Sequence, residues 1–171
     1  MTVENFKIEV LPIKHKLYRF AHRMLRNVPE AEDIVQEVLI RLWIRREKLS
    51  AYKSIEAFAM IITKNLCLDK LKLKSAKTDE LTQQNELHTE KTPYDDMETR
   101  DSYDKIQKLI GLLPDQQRMI IHMRDIEGYT YEEIAEIMDL TENTIRVNLS
   151  RARKKIRETM IKKYSYEFTK N

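Results

Sequence analysis

An all-α fold of two small helical domains is what these 171 residues predict, and three observations carry that expectation. Only two glycines and four prolines interrupt the chain, while Leu, Ile, Lys and Glu are abundant. Apolar residues recur at helical spacing in one segment after another. Between two such blocks lies a stretch, residues 78–104, that has no sustained apolar period and is rich in Asp, Glu, Thr and Gln. We read 5–77 and 105–163 as the domains and 78–104 as a flexible acidic linker that leaves their spacing undefined. Each domain is near the lower size limit for folding alone.

Charge divides the chain in the same way. Residues 1–77 carry 16 Lys/Arg against nine Asp/Glu, residues 78–104 carry Lys91 and Arg100 against nine acids, and the remainder carries 13 against 10. A net charge of +3 is too small to identify a nucleic-acid binder, but its distribution is more informative: two basic blocks are separated by an acidic one. Cys67 stands alone, so no disulfide framework and no thiolate metal cluster is expected, and a buried structural thiol in a reducing cytoplasm is its natural role. The N-terminus lacks a signal-peptide pattern, and no run of about 18 apolar residues exists to span a bilayer. No further domain follows Lys163, so a built-in regulatory extension is not expected. His15, His22, His88 and His122 are scattered and belong to no nucleophile, base and orienter set; neither catalysis nor a metal or cofactor is expected.

In the first block, residues 31–44 place Ala31, Ile34, Val35, Val38, Leu39, Leu42 and Trp43 on one helical stripe, with the helix starting near Pro29 and acids in its first turn. Ile40 and Ile44 lie off that stripe, beside Asp33, Gln36, Glu37 and Arg41. An apolar strip rimmed by charge suits a partner-binding face, and a widened core stripe with a solvated rim suits the pattern equally. A second helix follows from residue 55, with Phe58, Ile61, Ile62 and Leu66 on one side and Asn65 and Asp69 close to that stripe as partly buried polar groups. Lys64 and Lys72 are nearby, and the polar loop Ser50-Ala51-Tyr52-Lys53-Ser54 precedes the helix. Basic side chains beside an aromatic loop suit a single strand with an extruded base; a solvated lysine face fits equally well.

In the second block, Leu113-Pro114-Asp115 announces a helix that Gly128 closes, with Ile120, Met123 and Ile126 expected in the core. Thr130 and Glu133 form a capping box, so the next helix begins at Tyr131 and carries Ile134, Ala135, Ile137 and Met138 on or near its buried side. Asp139, Leu140 and Thr141 make a short turn, Asp139 standing where a left-handed backbone is wanted. The last helix buries Ile145, Leu149, Ala152 and Ile156. Its opposite side then holds Asn143, Val147, Ser150 and Lys154, flanked by Arg146, Arg153 and Arg157 on one side and Arg151 on the other. That is a helix-turn-helix with a basic second helix, whose early residues suit base edges and whose later ones suit phosphates.

Together these segments resemble the extracytoplasmic-function (ECF) sigma factors of bacterial RNA polymerase over nearly the whole chain. AEDIVQEVLIRLW looks like the region-2 helix that docks on the polymerase clamp, AFAMIITKNLCLDKLK like the following helix that opens and holds the minus-ten element, and LLPDQQRMIIHMRDIEGYTYEEIAEIMDLTENTIRVNLSRARKKIRE like region 4, which reads the minus-thirty-five element. NLCLDKLK and IRVNLSRARKKIRE are especially similar to members from Bacteroidetes. Phe58, Met60 and Ile61 depart from the residues common in the family. The resemblance implies a region-2 bundle at 5–77 and a region-4 helix-turn-helix at 105–163. It further implies polymerase contact by Asp33, Gln36, Glu37 and Ile40, and minus-ten contact by Ser50, Tyr52, Lys53, Ser54, Lys64, Asn65, Asp69 and Lys72. Minus-thirty-five contact would fall to Asn143, Arg146, Val147, Ser150, Arg151 and Lys154. The implied partners are core polymerase, promoter DNA and a membrane-associated anti-sigma factor, with a monomer when free. A dimeric helix-turn-helix repressor or activator with an N-terminal sensing or dimerising domain is the competing reading.

Overall fold

In the computed structural model, which describes residues 1–78 and 97–168 with side chains for 1–77 and 102–164, eight α-helices form and no strand is present among the described residues. The first block comprises α1 (Val3–Val10), α2 (Lys14–Leu25), α3 (Val28–Ile44) and α4 (Ile55–Thr78). The second comprises α5 (Met97–Gly111), α6 (Asp115–Ile121), α7 (Tyr131–Met138) and α8 (Glu142–Phe168). Short 3-10 turns at Leu11–Ile13 and Arg46–Ala51 join α1 to α2 and α3 to α4.

Local chemistry places the helix ends. The Asn27 side chain accepts the Glu30 N–H at 2.9 Å and Pro29 occupies the first turn of α3, which satisfies an otherwise orphaned donor. Ser54 does the same for α4 by accepting the Ala57 N–H at 3.0 Å. At α7 both arms of the Thr130/Glu133 capping box are made, at 3.2 and 2.7 Å. Asp139 ends that helix in the left-handed region (φ 54), as its place in the sequence leads one to expect. Leu17, Phe20 and Met24 of α2 lie at the centre of the first block against α3 and α4. Truncating a fully buried Leu such as Leu17 to Ala would cost roughly 2–5 kcal/mol.

Five expectations need correction. Helix α5 begins at Met97, inside the segment read as linker; Ile106, Leu109 and Ile110 anchor it by their periodic burial, and the helix runs back from that anchor. Residues 79–96 of the expected linker lie outside the described residues. Trp43 stands at the rim of the α3 stripe rather than within it, its ring edge-on to Phe6 at 5.1 Å and under the Arg46 guanidinium at 4.5 Å. Ile126 is 37% exposed, because α6 continues into a π-helical turn, His122–Ile126, whose wider winding rotates this residue outward. In α4 the fully buried residues are Ala59, Met60, Thr63 and Cys67, so Asn65 and Asp69 point to solvent and Phe58, Ile61 and Leu66 are only half-buried. The stripe is rotated because α4 packs on α2, α3 and α7 together. Finally, the two blocks share one continuous core, so their spacing is defined: α2 packs on α6 and α4 on α7.

Candidate nucleic-acid and polymerase surfaces

On α3, Asp33, Gln36, Glu37 and Ile40 are outward-facing residues of one helix face, with Ile40 54% and Ile44 71% exposed. Glu37 holds Arg41 one turn on at 2.7 Å, both half in solvent. The arrangement is an apolar ridge between charged groups that remain hydrated, so a protein can cover it without stripping a buried charge.

The loop after α3 and the start of α4 enclose an open cavity of about 660 Å³. Ser50, Tyr52, Lys53 and Ser54 line it, together with Ile8 and Pro12 from the N-terminal segment, Lys16 and Glu56. Tyr52 stacks on Phe58 at 4.0 Å between ring centres, an aromatic platform at the edge of α4. Phe58, Asn65, Asp69 and Lys72 follow one another along a single face of α4, and the last three are exposed. Lys53 and Lys64 do not join that face: Lys53 reaches Glu132 of α7 at 3.4 Å, and Lys64 donates to the Ile137 carbonyl at 3.0 Å. Burial pushes the Lys64 ammonium below its usual pKa, partly offset by Asp139. The Cys67 thiol behind this face is fully buried and pushed up to about 12 by burial, which suits the structural role read from the sequence.

On α8, Asn143, Arg146, Val147, Ser150, Arg151 and Lys154 are all exposed on one face opposite buried Ile145, Leu149 and Ala152. Thr141 caps the helix by accepting the Thr144 N–H at 3.1 Å, which sets the angle at which α8 leaves the turn. Arg146 is pre-positioned twice: Glu142 pairs with it at 3.0 Å, and its guanidinium lies 4.6 Å from the centre of the Tyr131 ring. Arg153, expected to flank the DNA face, instead forms a two-pronged pair with Asp125 at 2.5 and 3.0 Å and fastens α8 to the turn after α6.

A set of residues that the sequence did not single out joins the blocks. Arg19 of α2 makes a bidentate pair with Glu127, 2.7 Å on each prong, and the Glu127 side chain is only 4% exposed. This hydrogen bonding lowers the Glu127 carboxyl below its ordinary range. The fully buried His122 packs edge-on to Phe20 at 5.6 Å and lies 3.5 Å from Glu127. Burial, with the charges of Arg23 and Arg19, lowers its pKa to about 4 against the pull of Glu127, so it is neutral near pH 7 and this contact is not an ion pair. Tyr129 donates to Glu56 at 2.6 Å while Lys16 pairs with the same carboxylate at 2.7 Å. Burial, then the bond to Glu56, raises the Tyr129 phenol well above its ordinary pKa. Pairings more than 70 residues apart leave no local trace that could have announced them.

The profile "Sigma-70 region 2" matches residues 12–77 and "Sigma-70, region 4" matches 103–156, together most of the chain. The ECF RNA polymerase sigma factor SigW of Bacillus subtilis is 29% identical over 157 residues, spanning 86% of this chain and 84% of that protein. The ECF RNA polymerase sigma-E factor of Escherichia coli K12 is 29% identical over 166 residues, 88% and 84% of the two chains. Among solved structures, the sigma factor RpoE in complex with the anti-sigma factor NepR from Bartonella quintana superposes with a TM-score of 0.73 at 23% identity, covering 91% of this chain and 96% of that one. CnrH in complex with the cytosolic domain of CnrY gives 0.69 at 16%, covering 95% and 91%. At these identities the structural matches speak for the fold.

Proposed function

The chain belongs to the sigma-70 family and is an ECF RNA polymerase sigma factor, and from that premise we propose how its surfaces divide the work. The α3 face of Asp33, Gln36, Glu37 and Ile40 docks on core polymerase. The cavity under Ser50, Tyr52, Lys53 and Ser54 takes a base drawn from the minus-ten strand, with Asn65, Asp69 and Lys72 along the outer face of α4 guiding that strand. Lys64 joins them once it leaves Ile137. Helix α8 enters the major groove of the minus-thirty-five element with Asn143, Arg146, Val147, Ser150, Arg151 and Lys154. The protein supplies recognition and strand separation and leaves catalysis to the polymerase.

One observation carries this division: a basic recognition helix and an aromatic-edged cavity sit on separate domains of one chain, as reading two promoter elements at once requires. The cavity is large enough for a nucleobase, whose flat face can stack while its edge meets polar groups. We further place the protein in the cytoplasm and assign it an anti-sigma factor tethered at the membrane. Support for such a partner is that RpoE, a structural neighbour, was captured with the anti-sigma factor NepR, and CnrH with the cytosolic domain of CnrY. The segments NLCLDKLK and IRVNLSRARKKIRE support a Bacteroidetes-like subgroup. No helix among the described residues is long and apolar enough to cross a membrane. The repressor alternative loses its ground, since region 2 accounts for the half it assigned to a sensing domain.

Mixing the chain with core polymerase and a promoter library is the direct test. We expect co-elution with core enzyme and transcripts from a defined subset of promoters. A folded chain that neither co-elutes nor starts transcripts would refute this reading.

A further inference from the structure

Where the C-terminal end of α2 meets the turn between α5 and α6, three guanidinium groups converge that none of the surfaces above employs. Arg118 of α6 is 7% exposed; its Nη1 donates to the Gly111 carbonyl at 3.3 Å and its Nη2 to Asp115 at 2.6 Å, while its Nε is buried without an acceptor. Arg26, from the other domain, lies over the same Gly111 so closely that a Cβ there would overlap its guanidinium. Arg23, one turn earlier on α2, also buries an Nε with no acceptor. Arg26 adopts a left-handed backbone (φ 52), which for a side chain of this size needs compensation from its surroundings. Burial and the charges of Arg118 and Arg23 lower its pKa, the electrostatic signature of crowded like charges. Among the described residues Asp115 is the one carboxylate paired within the group, so three positive charges against one leave an excess of two there.

We propose that Arg23, Arg26 and Arg118 form a binding site for a phosphate-type oxyanion, which clamps the two domains together. Buried guanidinium N–H groups that no protein acceptor meets, in a cluster whose positive charge outweighs its carboxylate, suit an oxyanion. A phosphate group is the better match over a carboxylate. It carries up to two negative charges against an excess of two, and its oxygens diverge tetrahedrally toward donors arriving from two helices. Because α2 contributes Arg23 and Arg26 while α6 contributes Arg118, the complete site exists only when the domains are packed together. The anion therefore favours that packed state over an open one. At a concentration about 100 times its dissociation constant it would shift the balance about 100-fold. The phosphate group can come from a free phosphate or diphosphate, or from a nucleic-acid backbone; both offer the same oxygens.

Calorimetric titration of the full chain tests this, with inorganic diphosphate in one arm and a short duplex lacking promoter elements in the other. Both arms run against sodium chloride at matched ionic strength, because charge-driven binding depends on salt. The variants are R26Q and R23Q, on partly exposed side chains, with Lys7→Gln, an exposed residue of α1, as a control. We expect diphosphate binding that weakens at least about tenfold in R26Q and R23Q, since each removes a charge-assisted donor, and is unchanged in the Lys7 control. A weakening seen only in the duplex arm would assign the phosphate to nucleic acid and would support the site equally. Absence of binding above the chloride baseline in both arms would overturn the proposal, as would binding that ignores both arginine variants. No polymerase enters the assay, so its outcome is independent of the promoter-recognition reading.

Discussion

Lys64 of α4 donates a hydrogen bond to the carbonyl oxygen of Ile137, in the last turn of α7, at 3.0 Å. One of the ammonium groups assigned to the minus-ten strand is thereby held by the helix-turn-helix domain, at the negative end of the α7 dipole. Lys53 is drawn to Glu132 of the same helix. A DNA phosphate would compete with α7 for Lys64 above all, since the Lys53–Glu132 pair is almost wholly in solvent and yields easily. We therefore predict that docking on polymerase separates the domains, and that the free chain binds promoter DNA more weakly than the chain docked on polymerase.

The Arg19–Glu127 pair is the point at which to test the packing of the domains. Arg19→Ala would strand a nearly buried carboxylate beside His122. Half the Arg19 side chain is in solvent, so the expected loss is modest, about 1–2 kcal/mol. Small-angle scattering should show a larger radius of gyration for this variant than for the parent. An unchanged radius and melting temperature would remove the pair from any role in closure.

Acid should loosen the same interface. His122 has a folded pKa near 4 against an unfolded value near 6.5, so between those values the unfolded chain binds the extra proton. Its contribution is fully present above about pH 6.5 and falls away as the pH drops toward 4, by at most about 1.4 kcal/mol per pH unit. Glu127, whose folded pKa is lowered, loses its contribution in the same direction at still lower pH. Melting temperatures from pH 7.5 down to 4 should decline for the parent and decline less for His122→Gln. Parallel curves would show that another group governs the acid response.

On the polymerase side, Glu37→Lys reverses a charge at the centre of the α3 face. Its loss within the free chain is small, because the Glu37–Arg41 pair is an exposed one-turn pair worth about 0.3–0.5 kcal/mol. Against a complementary partner the reversal should cost about 2–5 kcal/mol, read as loss of co-purification with core enzyme. Full retention by a folded variant would move the docking site elsewhere.

At the recognition helix, Arg146 and Arg151 should read bases while Lys154, near Glu158 at 3.8 Å, grips phosphate. Arg146→Ala or Arg151→Ala should cost about 1–3 kcal/mol at the preferred minus-thirty-five sequence and relax its selectivity. Lys154→Ala should weaken every sequence alike. The structure adds a refinement: Glu142→Ala should act partly like Arg146→Ala, since Glu142 holds that guanidinium in place. A promoter-library profile that is the same for all four variants would dissolve the distinction.

Local interactions made much of this molecule readable from residue order. The Thr130/Glu133 capping box, the left-handed Asp139 and the buried stripe Ile145, Leu149, Ala152 each depend on neighbours within a few positions, and each stands in the structure as the chain spells it. The DNA-facing side of α8 follows at once, being the other half of the same cylinder. Where a helix touches several neighbours, periodicity was a poorer guide: α4 packs on α2, α3 and α7, so its buried side turned away from the one its apolar letters favour and left Asn65 and Asp69 in solvent. The π turn likewise rotated Ile126 outward, a change of winding that composition does not encode. Packing of the domains depends on Arg19 meeting Glu127, 108 positions away, and on Lys64 meeting a backbone carbonyl that any residue could have offered. Such contacts depend on the relative placement of whole helices, which arises only when distant apolar faces are buried together, and so they belong to the folded chain alone.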